Sequence, residues 1–170
     1  GYENPSFLST PGAKDVGIEF YTFSKTFNMA GWRLAFAAGN EQMIEALNLI
    51  QDHLFVGIFP ALQEAGIAAL LDPKSEEAVA QLNATYDSRR DAFVQATAKI
   101  GWQAFPSRGS FYAWMPVPEG YTSESFADLL LEKAHVAVAP GKGFGPAGDA
   151  YVRIGLLVEP ERLVEAVDRI

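Results

Sequence analysis

Two stretches of this 170-residue chain place cationic side chains among apolar ones. In "FYTFSKTFNMAGWRLAFAAGN", residues 20–40, Lys25 sits on a polar kink after one apolar run, and Arg33 opens the next. In "AYVRIGLL", residues 150–157, Arg153 interrupts a run that is otherwise apolar. A lysine at the end of a buried strand loses hydration, which favours the neutral amine over the ammonium. A neutral amine is a nucleophile toward carbonyl carbon, so Schiff-base chemistry with an aldehyde is within reach. The alternative is a lysine whose stem lies along the core while its head reaches water. Thr22 and Ser24 add hydroxyls beside Lys25, Arg33 offers a fork suited to a dianionic phosphate, and Gly31 permits close backbone approach. The stretch thus reads as an amine beside a phosphate cradle, with the snorkelling lysine still open. Arg153 alone reads first as an edge-strand arginine in a surface ion pair, with a bidentate carboxylate binder as the alternative.

The elements that must position these residues follow from apolar rhythm. "VGIEFYTF", residues 16–23, and "RLAFAAG", residues 33–39, are short, apolar and aromatic, so each reads as a buried strand. The segment joining them is too short for a crossover helix, which implies an antiparallel pair or a kinked connection. Residues 1–16 read as loop from their Pro, Gly and Ser content. Asn40 reads as the N-cap of a helix with Met43, Leu47 and Ile50 on one face. A second helix is expected over 59–71, and a third, opened by Pro73, from about Lys74 to Ile100. Its charged middle, "DSRRD", reads as a solvated bridge between two lobes, and Gly101 as its stop. Beyond it, "WQAF" and "SFYAWMPV" read as strands around the turn "PSRG", with Ser123 capping a helix to Lys133. "HVAVAP" and "AYVRIGLL" complete the strands around the loop "GKGFGPAGD", and a helix over 159–170 closes the chain.

Bulk composition narrows the function classes. Apolar residues make up 49% and charged residues 20%, which is ordinary for a globular fold. A formal net charge of −8 argues against binding nucleic acid through its phosphates. Without cysteine there are no disulfides or thiolate metal sites, and His53 and His135 lie too far apart in sequence to suggest a histidine cluster, so no metal is expected. No apolar run approaches the ~20 residues that span a bilayer, and no membrane partner is expected. A cytoplasmic location follows as the plain expectation.

The pattern Thr22-Phe23-Ser24-Lys25 followed by Asn28, Met29, Gly31, Arg33, Leu34 and Ala35 resembles the lysine signature of fold-type I pyridoxal-phosphate aminotransferases, classes I and II. It departs from the family at Thr22, where Gly or Ser is usual, while keeping a hydroxyl. "VAVAPGKGFGPAGDAYVRIGLL" is similar to the family's C-terminal loop and arginine-bearing strand, and "GSFYAWMPVPEG" looks like its small-domain strand. The wording is nearest the branch of LL-diaminopimelate, aspartate and aromatic aminotransferases. The resemblance implies an α/β fold comprising the end of the large cofactor-binding domain, residues 1–86, and an α+β small domain, 87–170. It implies pyridoxal 5'-phosphate held as a Schiff base on Lys25, with Thr22, Ser24 and Arg33 on the phosphate. It also implies Arg153 on the substrate carboxylate, and amino-group transfer between an amino acid and a 2-oxo acid in a homodimer. Phe111 and Tyr112 read as core rather than site. In the family, further cofactor contacts lie in segments that would precede Gly1, and Asp15 stands in the wrong context to supply one. The 170 residues alone are therefore expected to be inactive. Two alternatives share the signature: the aminotransferase-like effector domain of a transcription regulator, and a carbon–sulfur lyase of the same fold.

Overall fold

Alternating aromatic and small residues make a hairpin first. In the computed structural model, which describes residues 5–105 and 107–170, strand β1 (Ile18–Thr22) pairs antiparallel with β2 (Ala35–Gly39). Ile18 faces Gly39 and Thr22 faces Ala35. Residues 1–4 of the expected N-terminal loop lie outside the described residues; the rest carries a 3-10 turn (Phe7–Ser9) and one helical turn, α1 (Ala13–Val16). The antiparallel pairing is as expected, but the strands are not buried. Phe20 is 65% exposed and Phe36 42%, because a two-stranded sheet has few neighbours to cover its faces.

Helices follow where the apolar period changes. Asn40 caps α3 (Glu41–Leu54): its Oδ1 accepts from Met43 N–H at 3.1 Å. No α3 residue is buried, however, and the expected face is open, with Met43 44% and Ile50 53% exposed. Proline opens α4 (Pro60–Leu71), where the missing N–H costs nothing. The 26-residue α5 (Lys74–Lys99) follows, and Gly101, with φ 75°, adopts the left-handed turn after it. Of the described residues, those up to Gln81 form one compact unit and Leu82–Ile170 a second, the change falling within α5.

The second unit is an α+β layer. Strands β3 (Tyr112–Pro116), β4 (Ala139–Pro140) and β5 (Tyr151–Gly155) form an antiparallel sheet in the order β3-β5-β4. Only two residues of "HVAVAP" pair, and "WQAF" makes no strand beyond a single bridge from Phe105 to Trp114. Of the turn "PSRG", Pro106 lies outside the described residues. Thr122, not Ser123, caps α6 (Ser123–Leu129), exchanging bonds with Ser125 in a capping box. A π-helical turn, Leu130–Ala134, extends α6, and α7 (Pro160–Asp168) closes the chain.

Period-2 alternation sorts the sheet's two faces. Ala113, Met115, Val152 and Ile154 are buried with Phe93 of α5, Phe126 and Leu130 beside α6, and Leu163 and Val167 of α7. Each large side chain so buried contributes roughly 1.5–3 kcal/mol. The other face carries Tyr112, Trp114, Tyr151 and Arg153. Contrary to the expectation of a solvated "DSRRD", Arg89 has a side chain only 13% exposed and pairs with Glu159 at 2.6 Å, fastening α5 to the start of α7.

Candidate functional site

The loop from β1 to β2 gathers the first set of candidates. A bond from Phe23 N–H to Leu34 C=O, 3.2 Å, closes the loop at its root. Thr22 and Ser24 therefore flank one side of that closure and Arg33 the other, with Lys25 one residue beyond Ser24. Phe23 is buried and packs on Tyr21, Phe27 and Phe36, so the aromatic cluster beneath anchors the root. Gly66 of α4 completes that floor: a Cβ there would meet Leu34 Cδ2 at 2.7 Å and Phe23 Cζ at 3.4 Å.

Local geometry is strained where the polar groups are displayed. Thr22 caps the single turn α2 (Phe23–Thr26), its Oγ1 accepting from Ser24 N–H at 3.2 Å and donating to Ser24 Oγ at 2.9 Å. Asn28 and Arg33 both have left-handed backbones, φ 53° and 54°, a conformation uncommon outside glycine. The Arg33 guanidinium donates to Ala30 C=O at 3.0 Å, which turns it back over the loop. Two sequence expectations change here. Lys25 is exposed on a helical turn instead of desolvated at a strand end, because the sheet below has only two strands. Gly31 has no close neighbour either: a Cβ there would meet nothing within 4 Å.

Arg153 belongs to the second unit and is half-buried on the middle strand β5, so the edge-strand reading is corrected. Among the described residues it makes no ion pair. Its guanidinium carbon lies 4.1 Å from the Tyr112 ring centroid and 4.3 Å from that of Phe144. Register explains the first contact. Arg153 stands opposite Trp114, and Tyr112, two residues along β3, faces Gly155, which has no side chain to intervene. Tyr112 thus lies on the arginine's face of the sheet, which corrects the expectation that it is a core residue.

Phe144 comes from the loop before β5, and that loop is firmly built. Cβ atoms added at Gly141 or Gly148 would meet the other's carbonyl oxygen at 2.2 and 2.0 Å. Ser123, fully buried, donates to Asp149 Oδ1 at 2.8 Å and accepts from Lys142 N–H at 3.2 Å. These bonds from Ser123 hold the Asp149 carboxyl below the usual carboxylate range. Lys142, expected to be solvated, is half-exposed and pairs with Glu124 at 2.7 Å, which raises its ammonium above the usual lysine value.

Sequence reasoning missed Tyr112, Phe144 and Ser123. Strict alternation along "YAWMP" was the available signal, since it assigns Tyr112 and Trp114 to the face opposite Ala113 and Met115. Among the described residues no group of three His, Cys, Asp or Glu side chains could hold a metal ion, and no helix is long and apolar enough to cross a membrane.

The comparisons agree with this architecture. The chain is 61% identical over 165 residues to the L-glutamine–4-(methylsulfanyl)-2-oxobutanoate aminotransferase of Bacillus subtilis (strain 168), covering 97% of this chain and 41% of that protein. It is 48% identical over its whole length to the LL-diaminopimelate aminotransferase of Moorella thermoacetica, covering 43% of that protein. The substrate-bound structure of BacF from Bacillus subtilis superposes with a TM-score of 0.90 at 48% identity, covering 96% of this chain and 42% of that one. The aromatic aminotransferase of Pyrococcus horikoshii OT3 superposes at 0.92 and 35% identity, covering 99% of this chain and 46% of that one. The chain therefore spans about two-fifths of the length of the curated relatives it matches, and its fold is that of fold-type I aminotransferases. Since residues 3–170 match the family model throughout, the chain belongs to the aminotransferase class I and II family.

Proposed function

We propose that this protein is a pyridoxal-phosphate aminotransferase that moves an amino group between an amino acid and a 2-oxo acid. The observation that carries the reading is the convergence of Thr22, Ser24, Lys25 and Arg33 on the root of one loop, in a chain matching the family from residue 3 to 170. Pyridoxal phosphate is the cofactor of that family. The donor set fits it: two hydroxyls, a guanidinium and an amine lie on one loop, and among the described residues no carboxylate bonds to Thr22, Ser24 or Arg33 to compete with a phosphate dianion.

When bound, pyridoxal phosphate supplies an aldehyde that condenses with amines and a ring that takes up the electron pair of a broken Cα–H bond. Lys25 Nζ would hold that group covalently, and its amine, once free, would take a proton from the substrate's Cα and give one back, acting as base and then acid. Arg33 with Thr22 and Ser24 holds the phosphate by charge-assisted hydrogen bonds. Arg153 binds the substrate's α-carboxylate through the open edge of its guanidinium, which fixes the amino acid's orientation.

We assign residues 1–86 to the end of the large domain and 87–170 to the small domain, a reading supported by the change of compact unit within α5. A homodimer and a cytoplasmic location complete the proposal. The names of the relatives direct the choice of substrates to test: glutamine with 4-(methylsulfanyl)-2-oxobutanoate, and LL-diaminopimelate. In the complete gene product, Lys25→Ala is expected to abolish the visible absorbance of the lysine-bound cofactor and to slow transamination by about 100- to 10,000-fold. A complete gene product that takes up no pyridoxal phosphate would overturn the reading.

A further inference from the structure

We infer that Tyr112 and Phe144 are positioning residues for the substrate carboxylate, acting as an aromatic clamp on Arg153. The inference rests on the reading of Arg153 as carboxylate binder. The guanidinium carbon lies 4.1 Å from one ring centroid and 4.3 Å from the other, close enough for both π-faces to attract the cation. The two rings do not pack on each other, whereas Phe144 packs edge-on to Trp114 at 5.7 Å and Tyr112 packs on Phe111 at 4.5 Å. They therefore approach the guanidinium from different sides. Held by these two rings, the group would offer a carboxylate its N–H edge, where two parallel hydrogen bonds form.

Stacking also replaces what a carboxylate partner would otherwise do. A protein carboxylate on Arg153 would hold it in place but compete for the N–H edge that substrate needs. Two rings hold it without occupying that edge, and no described residue forms an ion pair with it. Both jaws are fixed from behind. Tyr112 is set by the β3–β5 register opposite Gly155. Phe144 ends a 3-10 turn whose first residue, Gly141, lies too close to Gly148 of the next turn to admit a Cβ, and whose backbone is tied to Ser123. The arginine is thereby ordered before substrate arrives, which cuts the rotamer entropy lost on binding.

The test uses the complete gene product loaded with cofactor, with Phe144→Leu, Tyr112→Leu, the ring-keeping variants Phe144→Tyr and Tyr112→Phe, and Arg153→Gln as reference. Each leucine variant is expected to raise KM for α-amino carboxylates by about tenfold while kcat moves less than threefold. The ring-keeping variants are expected to restore KM to within about threefold of the parent. Calorimetry with 3-phenylpropanoate, a monocarboxylate that has no amine to react, supplies a readout independent of turnover. Its Kd is expected to rise in parallel in the leucine variants. Unchanged KM and Kd in both leucine variants, with large increases in Arg153→Gln, would remove the clamp and leave the arginine's role standing. Increases in the ring-keeping variants as large as in the leucine variants would also remove it. If Arg153→Gln itself leaves KM and Kd unchanged, the reading of Arg153 falls and the clamp falls with it. Phe144 is 53% exposed, so its leucine variant tests the proposal even if Tyr112→Leu fails to fold.

Discussion

Lys142 N–H and Asp149 Oδ1 meet on one buried hydroxyl, Ser123 Oγ, at 3.2 and 2.8 Å. The Asp149 carboxylate also accepts from Ser123 N–H at 3.2 Å, and together these bonds depress its pKa in the folded state. A carboxyl so depressed contributes stability that is complete above its unfolded value, about 4, and is lost as pH falls through the folded value. Glu19, bonded by Ser6, and Glu165, bonded by Arg162 and Arg169, are depressed in the same direction and act in the same window. The melting temperature is therefore expected to drop on acidification below about pH 4, and to drop less steeply in Asp149→Asn. Asn keeps an acceptor for Ser123 but carries no titrating charge. Profiles of equal steepness from calorimetry at stepped pH would exclude the contribution. At this scale the sequence picks out Lys25, Arg33 and Arg153 as candidates, charged residues among apolar neighbours, but not their settings: Lys25 is exposed and Arg153 stands on a middle strand. It was illegible at Tyr112, Phe144 and Ser123, because aromatic and hydroxyl residues serve core, cap and site alike. Only the β3–β5 register and the loop crossing decide which.

Helix starts carried their own chemistry, and there the elements were legible. Asn40, Pro60 and Pro160 open α3, α4 and α7 for stated reasons: a side-chain cap in the first case, a ring that needs no N–H in the others. Asn40 does more than cap. Its Nδ2 donates to Asp15 C=O at 2.9 Å, and its own N–H donates to Gly17 C=O at 2.9 Å, so the start of α3 is tied back to the chain before β1. Asn40→Ala removes both side-chain bonds and is expected to cost about 1–2 kcal/mol of stability. Asn40→Asp keeps the cap while losing the bond to Asp15, and is expected to recover part of that loss. Equal midpoints in urea for Asn40→Ala and the parent would show the cap to be redundant. Strands were less legible than helices because pairing is not local. "WQAF" has strand composition but forms one bridge, and "HVAVAP" yields two paired residues. Composition supplies the propensity, and only an available neighbour turns it into a strand.

Across the whole chain, the two units differ in how far their apolar residues are covered. The second has a continuous core running from Phe93 to Val167. In the first, Leu54, Phe55, Val56, Phe59 and Leu71 are each about 70% exposed or more. Helix α3 shows the same thing at the level of pattern: its apolar period was read correctly, yet the face it predicts is open. An amphipathic period states that a face can be buried, and the partner that buries it is specified elsewhere. Val56 sharpens the point. It is 87% exposed with φ 63°, a left-handed backbone that is an outlier for a β-branched residue and persists only when surroundings hold it there. The curated relatives carry more than half their length outside the matched part. Contiguous apolar patches beyond a few hundred Å² drive association. The 170 residues expressed alone are thus expected to bind a hydrophobic dye and to sediment as concentration-dependent oligomers. Combining Phe55→Ser, Val56→Asn and Phe59→Ser is expected to reduce both signals several-fold, since the changes remove apolar area and give the strained position a residue that tolerates it. A chain that sediments as a monomer without binding dye would show that this surface is covered in solution by the chain itself.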